Sequence, residues 1–157
     1  MKAEPFPLED EQDISRAAHG GVVCALALLN ARGDALLQLR DEKRGLSAAG
    51  LWVFPGGHAQ PREDVVQCAA REFLEETEYR CDNARWLLSM DDAFLGPPTV
   101  RLHVFWDLYQ EGRGYKCREG QALEFVERRR AAEIAMPEYL VAIWDLAWLA
   151  ALADVTA

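Results

Sequence analysis

Residues 52–79 are the most informative part of this chain. They begin with Trp52-Val53-Phe54-Pro55-Gly56-Gly57 and continue as Gly57-x5-Glu63-x7-Arg71-Glu72-Phe73-x-Glu75-Glu76-x-Glu78-Tyr79. It joins a Pro-Gly-Gly turn to a helical segment that carries a tight Arg-Glu-x-x-Glu-Glu cluster. Like charges at neighbouring helix positions repel each other, so such a cluster is costly unless a cation neutralises it. The pattern therefore predicts a metal site.

Helix geometry brings three of these carboxylates together. At about 100° per residue, Glu72, Glu75 and Glu76 fall within an arc of roughly 100°, so their side chains converge. Arg71 lies at the edge of this arc, where its guanidinium can fork onto a carboxylate and hold its rotamer. Oxygen ligands of this kind select Mg²⁺, with Mn²⁺ as the alternative.

Two glycines precede the helix. Gly56 and Gly57 stand where the backbone must lie open to a ligand and no side chain can be tolerated, which makes Gly57 a candidate substrate-binding residue. Asp64 is the predicted N-cap, and we expect the helix to run to about Glu78. Its other face is apolar and can be buried; this face carries Val66, Ala70, Phe73 and Leu74.

The whole pattern resembles the Nudix box, Gly-x5-Glu-x7-Arg-Glu-hydrophobic-x-Glu-Glu-x-Gly-hydrophobic. Every fixed position is matched except the last glycine, where this chain has Glu78. The order of the flanking segments fits the family too, so the resemblance extends from about Val22 to Leu149. It implies an α/β fold, the Nudix-type α/β/α sandwich with a mixed β-sheet between helices.

The resemblance also implies a catalytic set. A glutamate that is not saturated by metal can accept the proton of an attacking water, and Glu72 is the favoured general base. Arg71 and Glu63 would orient the cluster. The metal ligands that the resemblance implies are the Gly56 carbonyl, Glu72, Glu75 and Glu76.

A second match lies outside the box. The segment Arg118-Glu119-Gly120-Gln121 resembles the Lys-Glu-Gly-Gln segment of the antimutator pyrophosphohydrolase branch of the family. There the glutamate helps to hold metal or to position water, which makes Glu119 the matching residue here. The alternatives to it are Glu111 and Glu124.

One arginine is the candidate phosphate contact. Arg40, at the end of the second predicted strand, resembles the phosphate-contacting arginine of the same branch. The asparagine with which that branch reads its base has no counterpart, because the corresponding region reads Met136-Pro137-Glu138-Tyr139. The base of the substrate is therefore left open. The alternatives to Arg40 are Lys43, Arg44 and Arg62.

Composition narrows the classes of partner. The 157 residues predict one domain, with an acidic N-terminal arm at 1–18 and the Nudix domain at 19–157. The formal net charge of -9 argues against a polynucleotide partner, including capped RNA, which would need a basic surface. No stretch approaches the roughly 18 apolar residues of a spanning helix, so we expect no membrane partner.

The spacing of the cysteines bears on the cellular compartment in which the protein is expected. Cys24, Cys68, Cys81 and Cys117 include no Cys-x-x-Cys pair, so they fit neither a zinc site nor a disulfide framework. Free thiols are typical of a reducing cytosol, and the polar, acidic N-terminus does not resemble a signal peptide. We expect a cytoplasmic protein.

Hydrophobic period and turn residues predict the order of elements. The terminal helix carries an apolar and aromatic face that fits packing on the sheet best; a base-stacking surface or a homodimer seam is the alternative. Strands are expected at 22–29, 35–40, 51–54, 86–90, 100–109 and 122–126, and helices from 65 to about 78 and from 136 to about 152.

The departure from the box has a structural consequence. A glycine at that position lets the chain leave the helix in the left-handed conformation, whereas Glu78 carries a Cβ. We therefore expect the helix to continue a further turn toward Asp82 and Asn83. Glu78 would then compete with Glu75 for Arg71.

Together these features predict an Mg²⁺-dependent Nudix hydrolase with a small nucleotide as its partner. It would cleave the pyrophosphate bond of a nucleoside diphosphate linked to another moiety, such as a nucleoside triphosphate or a nucleotide sugar, by attack of water. The rival interpretation is a non-catalytic Nudix-like module that binds a nucleotide as a sensor. The intact cluster of Arg71, Glu72, Glu75 and Glu76 favours the enzyme.

Overall fold

The chain folds into one mixed β-sheet with a helix on each face. A computed structural model describes residues 21–46, 48–92 and 99–155; the arm expected at 1–18 lies outside them. Neither helix in these ranges is long and apolar enough to cross a membrane. The elements are β1 (Val22–Leu29), β2 (Ala35–Leu39), β3 (Trp52–Val53), β4 (Gly56–His58), α1 (Val65–Thr77), β5 (Arg85–Asp92), β6 (Val100–Leu108), β7 (Ala122–Val126), a 3-10 turn (Arg128–Glu133) and α2 (Leu140–Val155).

The central strand is the continuous apolar run Val22–Leu29. β1 pairs in parallel with β6 along its whole length, from Val22↔Arg101 to Leu29↔Leu108, and both strands are buried as parallel strands in such folds usually are. The strand order is β3-β2-β1-β6-β5, with β4 paired to β1 and β7 paired to β2. The predicted α/β sandwich with a mixed sheet is thus confirmed.

The sheet splits between β1 and β2. These strands pair at Leu29↔Ala35, after which β2 runs along β3 and β7. The other end of β1 is paired instead with β4, at Ala25↔Gly56 and Cys24↔Gly57. The split therefore opens beside the Gly-Gly turn, and a side chain from one face of the sheet can reach through it.

Alternate residues of β1 serve two cores, because successive side chains of a strand point to opposite faces. Ala25, Ala27 and Leu29 pack with α2, whereas Leu26 packs with α1. On the α2 side Trp144 is fully buried and its Nε1 donates to the Gly33 carbonyl at 2.8 Å. The prediction that the terminal helix packs on the sheet is confirmed, although the helix begins at Leu140 rather than at Met136.

The prediction of a longer box helix is wrong. α1 ends at Thr77, and Glu78 adopts the left-handed conformation with φ 58° and ψ 11°. The last carbonyls of the helix are already satisfied, because Lys116 N donates to Thr77 O at 2.7 Å and Arg118 N donates to Glu76 O at 2.9 Å. Burial of Tyr79 also draws the chain away from the helix axis. Consequently Glu78 pairs with Arg118 at 2.7 Å and does not compete for Arg71.

Candidate active site

Arg71 organises the start of the site. Asp64 caps α1 as predicted, since its side chain accepts from Val66 N at 2.9 Å. Further along α1, Arg71 donates two hydrogen bonds to Glu63, from Nε to Oε2 at 2.6 Å and from Nη2 to Oε1 at 2.9 Å. This fork lowers the pKa of Glu63 to about 2. The turn before the helix is thereby tied to the helix itself.

The same guanidinium also holds the box carboxylates. Nη1 of Arg71 donates to Glu72 Oε1 at 2.9 Å and to both Glu75 oxygens at 3.3 Å, and Nη2 donates to the His58 carbonyl at 3.2 Å. The hydrogen bonds to Glu63, and then to Glu72 and Glu75, raise the pKa of Arg71 above its ordinary value. Arg71 thus links α1 to the strand that carries the Gly-Gly turn.

Both glycines are required by close approach. A Cβ on Gly56 would lie 2.2 Å from the Cys24 carbonyl oxygen, and a Cβ on Gly57 would lie 2.4 Å from the Glu72 carboxyl carbon. Only glycine lets β4 pair with β1 and pass over Glu72 at once. A side chain is therefore excluded at both positions, as expected: at Gly56 by the backbone of β1 and at Gly57 by the carboxylate of Glu72.

Glu76 reaches into the split in the sheet. Although Glu76 belongs to the acidic arc of the helix, the residue is only 6% exposed. Its Oε2 accepts from Gln38 Nε2 and from Gly56 N, each at 3.2 Å. Burial raises the pKa of Glu76 to about 9, with further contributions from Glu119 and Glu72.

Gln38 is a residue that sequence analysis missed. It is 1% exposed and donates both to Glu76 and to the Glu119 carbonyl, the latter at 3.2 Å. The available signal was its position as the single polar residue of the strand Ala35–Leu39. A buried polar side chain in an apolar strand needs a partner, and here the partners belong to the site.

The loop that carries Glu119 is held on both sides. Gln121 N donates to Leu39 O at 2.8 Å, and Gln121 Nε2 donates to the Arg40 carbonyl at 2.9 Å. Gly120 has φ 82°, and a Cβ there would lie 2.4 Å from Leu39 O. With the donors that Lys116 and Arg118 give to the end of α1, these contacts bring Glu119 close to Glu76.

These elements surround one cavity of about 350 Å³. Arg40 lines it, unlike its alternatives Lys43, Arg44 and Arg62, and Glu119 lines it, unlike Glu111 and Glu124. Among the described residues, Glu75 is outside the lining and its side chain is 58% exposed. The predicted residues that share the cavity are Arg40, Gly56, Gly57, Glu72, Glu76 and Glu119.

The donor set fits a hard divalent cation in its chemistry. Within residues 21–46, 48–92 and 99–155, no three acidic, histidine or cysteine side chains are already placed to share one cation; Glu72, for example, is turned toward Arg71. Burial, and then the neighbouring carboxylates of Glu119 and Glu72, nevertheless raise the pKa of Glu76, so three acidic side chains lie near one another. Carboxylate oxygens in this setting suit Mg²⁺ or Mn²⁺.

Solved structures share this architecture. The MutT protein of Methanosarcina mazei Go1 superposes with a TM-score of 0.68 at 22% identity, over 79% of this chain and 89% of that one. The NUDIX domain of Shewanella oneidensis NrtR, solved with ADP ribose, gives a TM-score of 0.68 at 14% identity, over 83% and 87% of the two chains. At these identities the likeness shows the fold.

A curated protein shares more of the sequence. The chain is 32% identical over 127 residues to the CMP-5'-(N-acetyl-N-hydroxy-3-aminopropyl)phosphonate hydrolase of Streptomyces rubellomurinus. The match covers 73% of this chain and 61% of that relative. The sequence model of the NUDIX domain matches residues 18–142, which include the box and all six residues that share the cavity. The chain belongs to the Nudix family.

Proposed function

We propose that this protein is a divalent-metal-dependent hydrolase of small nucleotides. It would cleave the phosphoanhydride bond of a nucleoside diphosphate linked to another moiety, by attack of water, and release a nucleoside monophosphate. A nucleoside triphosphate and a nucleotide sugar are the two substrate types that this reaction covers. We place the reaction in the cytoplasm, where the thiols of Cys24, Cys68, Cys81 and Cys117, which form no disulfide with one another, would stay reduced.

The observation that carries the proposal is the placement of Glu76. This carboxylate is buried in the split of the sheet, beside Glu72 and Glu119, with its pKa raised to about 9. Gathering carboxylates in this way is unfavourable for the protein alone. Sites that do so usually serve chemistry, and a bound dication would remove the cost.

The chain's own residues take separate roles. Glu72, Glu76, Glu119 and the Gly56 carbonyl would hold Mg²⁺ or Mn²⁺. When bound, such an ion supplies positive charge to the phosphates and activates water for attack. Arg40, on the cavity wall, would bind a phosphate.

Proton transfer falls to the box carboxylates. Glu72 remains the favoured general base, because it lines the cavity and its carboxylate is held in place by Arg71. Arg71 and Glu63 act through Glu72 as positioning residues. Glu75, 58% exposed and hydrogen-bonded to Arg71, is proposed as a ligand that turns inward when the ion arrives.

The size of the cavity and the similar proteins support a small nucleotide. A volume of about 350 Å³ is at the low end for small-molecule sites. The Streptomyces relative is named for a CMP-linked substrate, and the NrtR domain was solved with ADP ribose. Each of these ligands is a nucleotide joined to a second group.

One second candidate is a nucleotide-binding sensor without catalysis, for which binding such as that of ADP ribose by the NrtR domain would suffice. The two candidates differ in what they need from the cluster. A sensor needs the cavity but not the full set of box carboxylates and Arg71, all of which are kept here. The enzyme is therefore the better supported function.

Product analysis separates the two. Purified protein is incubated with a panel of nucleoside triphosphates and nucleotide sugars, with Mg²⁺ or with EDTA, and nucleoside monophosphate is quantified. We expect release with Mg²⁺ only, and loss of release in Glu76→Gln. If the protein binds a nucleotide but releases no monophosphate under all of these conditions, the sensor is the remaining candidate.

A further inference from the structure

A buried polar pair lines the cavity away from the carboxylates. Asp92, the last residue of β5 and 2% exposed, accepts a hydrogen bond from the Tyr139 hydroxyl at 2.9 Å. Tyr139 lies directly before α2, and both residues are part of the cavity wall. Burial and the hydrogen bond to Asp92 raise the pKa of Tyr139, so its hydroxyl keeps its proton and stays a donor.

The sheet sets how far this pair lies from the box. From Gly56 to Asp92 the path crosses from β4 to β1, from β1 to β6 and from β6 to β5. Three strand spacings amount to about 14 Å across the sheet, and Asp92 pairs with Val100, four residues along β6 from the residue opposite Ala25, which adds to this distance. The pair therefore faces the end of a ligand opposite to the phosphates.

The wall between the two ends is apolar. It is formed by side chains of β1 and β6 on one side and of the start of α2 on the other, with Phe54 beside them. Such a wall suits a flat ring better than a charged or heavily hydroxylated group. The residues that form it are Ala25, Phe54, Leu102, Val104, Leu140 and Ile143.

We propose that Asp92, held by Tyr139, reads an exocyclic amino group on the nucleobase of the substrate. This proposal rests on the proposed function for its nucleotide and adds the class of base. A carboxylate can only accept hydrogen bonds, and the Tyr139 hydroxyl donates to Asp92. An amino group of cytosine or adenine donates to the carboxylate, whereas a carbonyl of uracil or hypoxanthine would point its lone pairs at it.

A buried aspartate on the neighbouring strand shows the contrast. Asp107 of β6 is 6% exposed and accepts from the backbone N–H groups of Asn83 and Leu108. It serves the backbone and is not part of the cavity wall. Asp92 instead accepts from the side chain of Tyr139, directly before α2, and both residues line the cavity.

The test compares bases in which an amino group is replaced by an oxo group, a change that also puts a proton on the adjacent ring nitrogen. Dissociation constants for CMP against UMP, and for AMP against IMP, are measured by calorimetry with Mg²⁺. In parallel, kcat/KM is measured for CTP against UTP and for ATP against ITP. Of the pyrimidine and purine pairs, we consider the one that binds more tightly. In that pair we expect the nucleotide with the amino group to bind at least about tenfold more tightly than the one with the oxo group, because the oxo group leaves two buried acceptors facing each other.

Two variants and a control assign the effect. Asp92→Asn should bring the ratio of amino to oxo affinity close to one, because an amide can turn either its donor or its acceptor to the ring. Tyr139→Phe should lower the ratio several-fold by releasing the carboxylate, and it decides the matter if Asp92→Asn does not fold. Ile143→Val lines the same cavity and should shift the affinity for both members alike.

The outcomes separate this proposal from the previous one. Three results would overturn this proposal: equal affinity of the wild type for the amino and oxo nucleotides, no nucleotide binding, or an unchanged affinity ratio in a folded Asp92→Asn protein. If that variant does not fold, an unchanged ratio in Tyr139→Phe would overturn it. An amino preference in binding without any hydrolysis would support the proposal and defeat the enzyme function. Hydrolysis without a preference would do the reverse.

Discussion

Arg71 and Glu63 are joined by two hydrogen bonds, at 2.6 and 2.9 Å, which fix the turn before α1 onto the second turn of the helix. A charge-assisted pair with this geometry is among the stronger polar contacts in proteins. Its position is also informative, because the same guanidinium bonds Glu72. What holds the turn also holds a carboxylate of the candidate site.

The first prediction concerns pH. The pKa of Glu63 is about 2 in the folded protein against an ordinary value of 4.5, chiefly because of the hydrogen bond from Arg71. The pair therefore contributes its full stability above about pH 4.5, and this is lost as pH falls toward 2, where the folded state also takes up the proton. The Tm difference between wild type and Glu63→Gln should shrink steadily over this range. A difference independent of pH, like that expected for the exposed Glu111→Gln, would contradict the assignment.

The second prediction concerns metal. Mg²⁺ or Mn²⁺ should add about 2.7 kcal/mol to the free energy of unfolding of the wild type at a hundredfold excess over Kd, by mass action, and so raise its Tm. Glu76→Gln keeps an oxygen that can accept from Gly56 N but cannot ionise to carry the negative charge that a bound dication needs. It should lose most of this Tm response and lower turnover by orders of magnitude, whereas Glu111→Gln should keep both. Near-normal turnover of Glu76→Gln at saturating Mg²⁺ would refute the metal role.

The third prediction separates the two glycines. In Gly56→Ala the new Cβ meets backbone at 2.2 Å, which cannot move cheaply, so we expect a loss of about 3 kcal/mol in the free energy of unfolding. In Gly57→Ala it meets the Glu72 side chain, which can swing away; stability should fall by less than about 1 kcal/mol while activity falls at least about tenfold. Gly114→Ala enters open space and should change neither. Similar stability losses at 56 and 57 would argue against this division.

The fourth prediction concerns the end of α1. Glu78 has a positive φ of 58°, so Glu78→Gly should remove backbone strain and raise Tm by about 1–4 °C. The exposed pair with Arg118 is lost as well, but such pairs contribute little. Glu78→Ala loses the same pair and keeps the Cβ, so the comparison of Gly with Ala isolates the backbone. A Tm of Glu78→Gly no higher than that of Glu78→Ala would show that the conformation carries no strain.

Local pattern predicted much of the framework. The strands Val22–Leu29 and Ala122–Val126 agree with the structure at both ends, because turn residues and hydrophobic period mark them directly. The Asp64 cap follows from residue type and position, and a fork of Arg71 onto a carboxylate was predicted as well, although its partner Glu63 lies just before the helix. These are contacts between residues that lie close together in the sequence.

Long-range contacts explain what was missed. The burial of Glu76 depends on Gln38 and on a split between strands that no local pattern records. The left-handed Glu78 depends on donors from Lys116 and Arg118, which belong to a loop beyond two further strands. Asp92 and Tyr139 meet across 47 positions of the chain. In each case tertiary structure overrides the local preference.

The split in the sheet also determines when the site can exist. Glu76 finds its partners 38 and 20 positions away, on two strands that are kept apart by the pairing of β4 with β1. Contacts of such sequence separation are made only once the intervening chain has been ordered. The box is therefore continuous in sequence but is not sufficient as a site. A peptide of its residues would carry the same charges but would lack the split between β1 and β2 into which Glu76 reaches.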